Sequence, residues 1–390
     1  MSMTQIDPTA GGSAARSTRG RTPVWHPRLR GEDFDVDVNE MTMTLTEGQH
    51  HAATLTCVSE TLENTDDFVD APISFYWGVA PRTEPFYGYV TDVSEEQQSH
   101  GSLSFKLSLL GATKVMFEAT PRFWTNKTAT SAARDLCAFN RLGFGGHDAP
   151  FVWSSLAQTE ESDWTMLRKL ARRCGYALFV RYGVVLFYDP LRLYQESGSY
   201  TSLISGLDDL GSTDRNMINF EAHTSADVLQ GNLGTRIGYF TTSDTVQVTK
   251  QIGEYRGYLF ETDLTVRNQS EADEYMKSLD RSMQTWSENG IARIWGDADI
   301  FPGMVVDVQT SRTGRYGKTD GRWLVRSVGH QADRQQFQTI LFLTRDKKHI
   351  ATDDTVYRPF WDDEATGSRP KPKVTLAEEE WISSWRATAL

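Results

Sequence analysis

Apolar and polar residues alternate at two places before residue 112. Leu103, Phe105, Leu107 and Leu109 are separated by Ser, Lys and Ser, and Ile73, Phe75, Trp77 and Val79 keep the same rhythm. A period of two predicts strands with one buried face. Residues 87–93 read as a third strand, joined through the polar stretch 94–101 to the strand at Leu103. Residues 35–112 are therefore expected to be all-β. The period then changes. Residues 129–142 predict a helix, and over 163–174 Trp164, Leu167, Ala171 and Cys174 recur at helical spacing. Ser162 stands where a hydroxyl can accept from the free N–H groups of the first turn, and Gly175 where a left-handed cap is expected. Residues 176–180 and 184–188 are β-branched and aromatic, which predicts a hairpin turning at Arg181, Tyr182 and Gly183. Asp189 and Pro190 are expected to close that unit.

From about residue 213 the chain returns to strands, at 216–224, 235–241, 245–250 and 257–266, then at 291–295, 304–309, 322–329 and 336–344. One helix interrupts them. Its start is expected at the capping pattern Ser270 to Asp273, and Ala272, Tyr275, Met276, Leu279, Met283 and Trp286 share a face. The two β regions contain an echo. Tyr89 to Val93 followed by Phe105 to Leu109 resembles Leu324 to Val328 followed by Phe337 to Leu341. Either the domain is duplicated, or any antiparallel barrel supplies such pairs.

The ends differ from the body. Residues 1–24 are rich in Gly, Ser, Thr and Arg, a composition expected to stay disordered until a partner orders it. Without an apolar centre this start does not read as a secretory signal. Residues 353–373 read as a linker, and 376–390 as a short helix in which Ile382 and Trp385 share a face with Trp381 beside it. Such a helix is either a docking peptide or a strap onto its own domain. Docking is the preferred reading, with Trp381, Ile382 and Trp385 as the anchors. At 390 residues the chain has room for two or three domains, and no apolar run approaches the ~18 residues of a membrane span.

The net charge is −12, while residues 1–30 carry Arg16, Arg19, Arg21, Arg28 and Arg30 against Asp7 alone. The body is thus more acidic than the whole. That argues against lasting nucleic-acid binding and suits a conduit that DNA crosses without sticking, although mild acidity is also common among soluble proteins. Cys57, Cys137 and Cys174 lie far apart with no paired spacing, which favours buried thiols over disulfides or zinc.

Candidate chemistry is sparse. His50 and His51 have no third ligand nearby and read as a solvent-facing pair. Gly296 to Asp299 lacks the twelve-residue calcium frame, and the glycines at 143–146 follow a helix without a Gly-Lys-Ser/Thr. No nucleophile elbow, zinc-protease motif or Cys/His pairing is present in the sequence. No catalytic, cofactor-binding or metal residue is therefore assigned, and no cofactor is expected. His330, at a strand end, reads either as a pH-responsive interface residue or as a satisfied structural histidine.

Two stretches carry a resemblance. Glu161-Ser-Asp-Trp164, then Leu167, Leu170-Ala171 and Gly175-Tyr176, then a hairpin ending Phe187-Tyr-Asp-Pro190, resembles the central domain of phage tail and baseplate hub proteins. Near the C-terminus Pro302-Gly303 launches a strand, Gly321-Arg-Trp323-Leu-Val325 follows, and Val328-Gly-His330 leads to Phe337 to Arg345, which is similar to the last barrel of that family. The resemblance spans residues 33–345. It implies a β-rich α+β fold in which two tube-like antiparallel β-barrel domains are separated by an α/β module, with flexible N- and C-terminal arms. The expected division is an arm at 1–32, a first barrel at 33–115, the α/β module at 116–212, a second barrel at 213–348, and a linker with docking helix at 349–390. It also implies a structural tail hub in the virion tail tip, made in the host cytoplasm. The hub would be a homotrimer that closes the tail tube and forms the channel for DNA ejection. Its implied partners are the distal tail protein ring or tail tube, the tape measure protein and the tail-tip or spike proteins, with genomic DNA passing unbound. A contractile baseplate or injection-system hub is the alternative within the class. A tail-associated peptidoglycan hydrolase or peptidase is the alternative outside it.

Overall fold

A computed structural model describes residues 26–30, 32–34, 36–59, 65, 67–76, 86–97, 103–204, 216–224, 233–240, 246–248, 257–262, 266–286, 288–310 and 320–345. The first region holds β1 (His26–Leu29), β2 (Glu32–Asp33), β3 (Asp37–Thr46), β4 (Ala52–Ser59), β5 (Pro72–Tyr76), β6 (Phe86–Gln97) and β7 (Leu103–Gly111). After a 3-10 turn, Ala112–Met116, come β8 (Arg122–Thr128), α1 (Ala129–Phe139), β9 (Gly143–Gly146), β10 (Val152–Gln158) and α2 (Asp163–Cys174). The module continues through β11 (Ala177–Arg181), β12 (Val184–Tyr188), α3 (Pro190–Glu196) and β13 (Ser199–Ile204). The last region holds β14 (Met217–Thr224), β15 (Leu233–Phe240), β16 (Val246–Val248), β17 (Gly257–Thr262), α4 (Gln269–Thr285), β18 (Glu288–Trp295), β19 (Val305–Gln309), β20 (Gly321–Asp333) and β21 (Phe337–Arg345).

One sheet unites the two β regions. Its strand order is β14-β18-β21-β20-β3-β4-β7-β6-β5-β1-β2, with β19 also on β20 and β13 on β19. The seam is the antiparallel pair β20–β3, from Ser327 opposite Thr46 to Asp333 opposite Glu40. Among the described residues the sheet stays open and no closed barrel forms, so the architecture is a fused sheet rather than two separate closed barrels. The alternation read from the sequence is what buries one face. Met41, Met43, Leu45, Leu55, Phe75, Leu107, Val328, Leu341 and Leu343 are all buried in a single core. Trp77 and Val79 lie outside the described residues.

The two halves are repeats of one unit. The order β3-β4-β7-β6 in the first half matches β14-β18-β21-β20 in the second. Bulges fall at the same places. The β3–β4 register shifts between Val38 and Glu40 and the β14–β18 register between Met217 and Asn219. The β6–β7 register shifts between Val90 and Asp92, and β20–β21 between Val325 and Ser327. β5 on β6 (Ile73 opposite Gly88) matches β19 on β20 (Val306 opposite Trp323). Even the turn before that strand repeats. Asp70 N donates to Val90 O at 2.9 Å and Val90 N to Ala71 O at 3.0 Å, while Gly303 N donates to Val325 O and Val325 N to Met304 O, each at 2.8 Å. Asp70 and Gly303 both have positive φ, 66° and 91°, the left-handed conformation that the turn imposes on whichever residue occupies it. Bulges are specific local features, so four matched shifts and a matched turn indicate a duplicated unit. The sequence echo is correct for Tyr89–Val93 but off by two residues in the second strand. Leu103, not Phe105, corresponds to Phe337. A shift of two keeps every side chain on its own face, so alternation alone does not fix the register.

The hairpin β11–β12 wedges the module against the sheet. Every residue of both strands is buried. Leu178, Val180, Val185 and Phe187 enter the core of the helical module, with Trp153, Leu167, Leu170, Tyr275 and Leu279. Ala177, Phe179, Val184 and Leu186 enter a separate core with Leu193, Val305 and Leu324. Gly48, in the turn after β3, donates its N–H to Leu178 O at 2.7 Å, and β9 adds to β12 in parallel. The Gly303 backbone leaves room for Phe179, whose ring would stand 3.2 Å from a Cβ there. Beside this wedge Arg326 pairs with Glu47 and lies 5.4 Å from the Trp286 ring centre. Burial pushes the Glu47 carboxyl above its ordinary value, against the pull of Arg326.

α2 starts and stops where the sequence indicates. Ser162 accepts from Thr165 N at 3.2 Å, and Gly175 has φ 67°. Two other ends move. Asp189 is the N-cap of α3, with Pro190 in the first turn, so it opens a helix rather than closing the unit. α4 is capped by Asn268, whose Oδ1 accepts from Glu271 N at 2.9 Å, so it begins before Ser270. The histidines singled out in the sequence, His50, His51 and His330, lie at least partly inside. His51 is buried, and half-buried His50 lies against Phe117 and Trp164 with ring centres 4.5 and 4.6 Å away. His330 is 2% exposed in the seam, and its Nδ1 is 3.0 Å from Thr339 Oγ1. This geometry gives it a structural role, and burial pushes its pKa down to about 3.

Two outcomes are expected. Phe187→Ala should lower the unfolding free energy by about 3–5 kcal/mol in urea or guanidinium titration, because it empties a fully buried aromatic site. For His330 the folded-state pKa is depressed, so its contribution is present above the unfolded value near 6.5 and lost as pH falls toward about 3. Stability should decline by up to about 1.4 kcal/mol per pH unit from this group below pH 6.5. Thermal melts of His330→Asn across pH 4–8 should show a shallower decline than the parent.

Candidate assembly surface

Trp381, Ile382 and Trp385, the residues read as docking anchors, lie outside the described residues. Among the described residues no group of three or more His, Cys, Asp and Glu is placed to hold a metal ion. Among them, too, no helix is long and apolar enough to cross a membrane.

The buried ionisable groups are held by structural partners. Asp163, at the start of α2, pairs with Arg122 of β8 and accepts from Gln158 Nε2 at 2.7 Å and Asn140 Nδ2 at 2.6 Å. Glu271 of α4 is 1% exposed and accepts from Ser154 N, Ser154 Oγ and Arg267 N at 2.8, 2.5 and 2.8 Å. Those bonds fasten α4 to β10. Glu288 and Arg345 form a buried ion pair at the outer ends of β18 and β21, with the guanidinium 4.5 Å from the Trp323 ring centre. Removing one partner of such a pair strands a charge in low dielectric, so these contacts fix geometry. Glu161 pairs with Lys169 at 2.5 Å.

Among the described residues the large sheet leaves open one face and stretches of two strand edges. Opposite the core, one row of paired positions runs Gln338, Gln331, Thr42, Thr54, Ser108 and Asp92. A second runs Arg293, Ile340, Gly329, Thr44, Ala52 and Leu110. The first row is hydroxyl, amide and carboxylate throughout, while the second mixes Ile340, Ala52 and Leu110 with Thr44 and Arg293. Among the described residues Asp37, Glu40, Asp92 and Glu221 are exposed acids on it, and Lys106 and Arg293 exposed bases. At one end it is covered, since Val305 and Leu324 lie under the hairpin. Phe342 (46% exposed) marks where the cover stops.

The strand edges are those of β14 and β6. Among the described residues β14 pairs with β18 alone. β5 covers β6 only at Phe86 to Tyr89, leaving the far edge beyond it without a partner strand among the described residues. Asn219, Glu221 and His223 on β14 and Asp92, Ser94 and Glu95 on β6 are exposed. These edges did not stand out in the sequence. Aligning the two repeats would have exposed them, since each occupies the position that β3 or β20 fills in the seam.

No known family profile matches the chain, and no curated protein does. Solved structures do. A tail protein from Neisseria meningitidis MC58 superposes with a TM-score of 0.60 at 14% identity, over 86% of this chain and 98% of its own. The 43 kDa tail protein of prophage MuSo2 from Shewanella oneidensis gives 0.61 at 14% identity, over 83% and 98%. An E. coli component of the type VI secretion system, described as structurally similar to T4 bacteriophage tail proteins, gives 0.57 at 12% identity, over 85% and 79%. The duplicated sheet with its wedged helical module is the fold of phage and prophage tail proteins and of a related type VI secretion component.

Proposed function

We propose that this chain is the structural tail hub of a phage virion, located at the tail tip. Three copies would close the end of the tail tube, join it to the tip, and form the channel through which DNA leaves. The observation that carries the reading is the duplication. A chain with two equivalent units, repeated three times, presents six near-identical units to a six-fold tube while keeping three-fold symmetry toward the tip. The two tube-like domains, at 33–115 and 213–348, are then the halves of one arc rather than free-standing barrels. The helical module at 116–212 braces them. Three eight-strand arcs at ~4.8 Å per strand give a ring roughly 35–40 Å across between backbones, wide enough for a duplex.

The open face has the chemistry of a channel wall. One row of threonine, serine and glutamine, one of mainly small and apolar residues, and a small excess of acid give transiting phosphates little to hold, whereas a basic wall would retain DNA by counterion release. The distal tail ring or tube and the tape measure protein would meet one end of this ring, and the tip or spike proteins the other. The reading is structural and non-enzymatic. The likeness to a type VI secretion component favours one alternative, a baseplate hub of a contractile tail or injection system, built on the same ring.

Residues 349–390 would act as a docking arm. Large aromatics on a short charged helix gain roughly 25 cal/mol per Å² when buried, and an isolated helix of that length is marginal in water. Trp381, Ile382 and Trp385 would therefore order against a partner.

Three measurements test the proposal. Mass photometry of assembled tips should count three copies of the chain per particle, and six would refute it. Truncation after Lys348 should leave the melting temperature nearly unchanged but block tail assembly, whereas unfolding of the truncated chain would make the arm a strap. Zymography on host cell walls should show no lysis band. A band that vanished on substituting a single carboxylate would refute the non-enzymatic reading.

A further inference from the structure

The chain covers its second repeat with a segment that follows its first. We infer that residues 376–390, which follow the second repeat, cover the first repeat of the next copy around the ring, at Val69, Pro72 and Tyr89. This gives the docking arm its receptor and rests on the three-fold reading above.

The receptor has a counterpart within the chain. Asp70 matches Gly303, so Phe68 and Val69 match Phe301 and Pro302. The bond that closes the turn repeats as well, with Ala71 N donating to Phe68 O at 3.0 Å and Met304 N to Phe301 O at 3.3 Å. Pro72 opposite Tyr89 matches Val305 opposite Leu324. The two sites differ in what lies over them. In the second repeat it is the β11–β12 hairpin. Arg181 and Tyr182 lie 5.5 and 6.1 Å from the Phe301 ring centre, Phe179 packs on Gly303, and Val305 and Leu324 share a core with Phe179, Val184 and Leu186. Pro302 is buried, and neither Val305 nor Leu324 is more than 1% exposed. In the first repeat Val69 is 51% exposed, and Phe68, Pro72 and Tyr89 are only partly buried. An apolar site of the same plan is therefore incompletely buried in the single chain, and covering it gains roughly 25 cal/mol per Å².

The path of the chain says what covers it. The hairpin belongs to the segment that leaves the first repeat at Gly111, the end of β7, and it reaches β19 and β20 across the seam. β7 and β20 are three strands apart, in the order β7-β4-β3-β20, or roughly 15 Å. Since Leu103 matches Phe337, Gly111 matches Arg345, where β21 ends. The chain thus leaves its second repeat at the equivalent point, and the same step carries it to the first repeat of the next copy. Residues 346–375 are long enough, because a flexible chain of that length has a root-mean-square reach of about 30 Å. Each copy has one hairpin and two such sites, so a closed ring leaves one site for each C-terminal segment. Trp381, Ile382 and Trp385 supply there the large apolar side chains that Phe179, Val184 and Leu186 supply in the second repeat.

The test is photo-cross-linking of the full chain in assembled tips. p-Benzoylphenylalanine is placed at position 69 in place of Val69, an exposed residue, so folding should be unaffected, and melting curves verify this. Irradiation should give covalent dimers on a denaturing gel, with the adduct mapping to residues 376–390 by mass spectrometry. Trp381→Ala combined with Trp385→Ala should lower their yield at least fivefold. The same probe in place of Phe123, exposed on β8, should give less than a tenth of the adduct with 376–390. Should the probe at 69 stop assembly, Val115 takes it instead, being exposed in the turn whose Lys114 lies over the Tyr89 ring. Adducts formed within one copy make the segment a strap and overturn the inference, as do adducts confined to another tail protein or to other parts of this chain. Either result in particles of three copies leaves the three-fold reading standing. Particles of another stoichiometry overturn the three-fold reading itself.

Discussion

The antiparallel ladder between β20 and β3 is the contact on which the molecule's architecture depends. It joins strands nearly the whole length of the described chain apart, and Thr46 Oγ1 meets Ser327 Oγ across it at 2.6 Å. Without it the two β regions would be separate half-sheets, each ending in an exposed edge and a half-covered core. With it they share one apolar interior. Closing so long a loop has an entropic cost that rises only slowly with length, and a ladder that also buries Met41, Met43 and Val328 readily offsets it. The Glu47–Arg326 pair stands at the end of the same seam, where Glu47 N also donates to Arg326 O at 3.0 Å.

The helical module is held by a different kind of contact. A hairpin is ordinarily buried on one face, but β11 and β12 are buried on both, one facing α2 and α4 and the other facing β19, β20 and α3. It acts as a wedge whose two faces belong to two cores. Any shift of the module would open both at once, so close packing makes the angle between module and sheet stiff. That stiffness suits a part which would transmit load between a tube and a tip. Glu271, bonded to Ser154 and Arg267, adds a polar fastening on the far side of α4.

Much of this was legible in the sequence, for physical reasons. α2 was bounded to the residue, because a serine cap and a left-handed glycine are local signals. The strands at Leu103 and Ile73 followed from strict alternation. What escaped depends on distant partners. β9 and β13 have weak patterns of their own and exist because β12 and β19 accept them in parallel. The duplication was visible as an echo, but its register was set two residues off, since period-2 patterning is blind to that slip. The bulges at Thr91 and Arg326 fix it, and no composition rule marks a bulge. His50 and His51 were read as solvated because aromatic neighbours from the module, Phe117 and Trp164, come from far along the chain. The docking residues Trp381, Ile382 and Trp385 remain a reading of sequence alone.

Equivalence of the two halves is the central claim, and an assembled ring would display it directly. A reconstruction of the tail tip computed without imposed symmetry is the decisive measurement. The expected map has three copies of this chain whose sheets form one continuous wall, with the β20–β3 seam and the seam between copies superposable after a rotation of one sixth of a turn. A wall in which the two kinds of seam differ in register, or in which the chain's two halves sit at different distances from the axis, would contradict it.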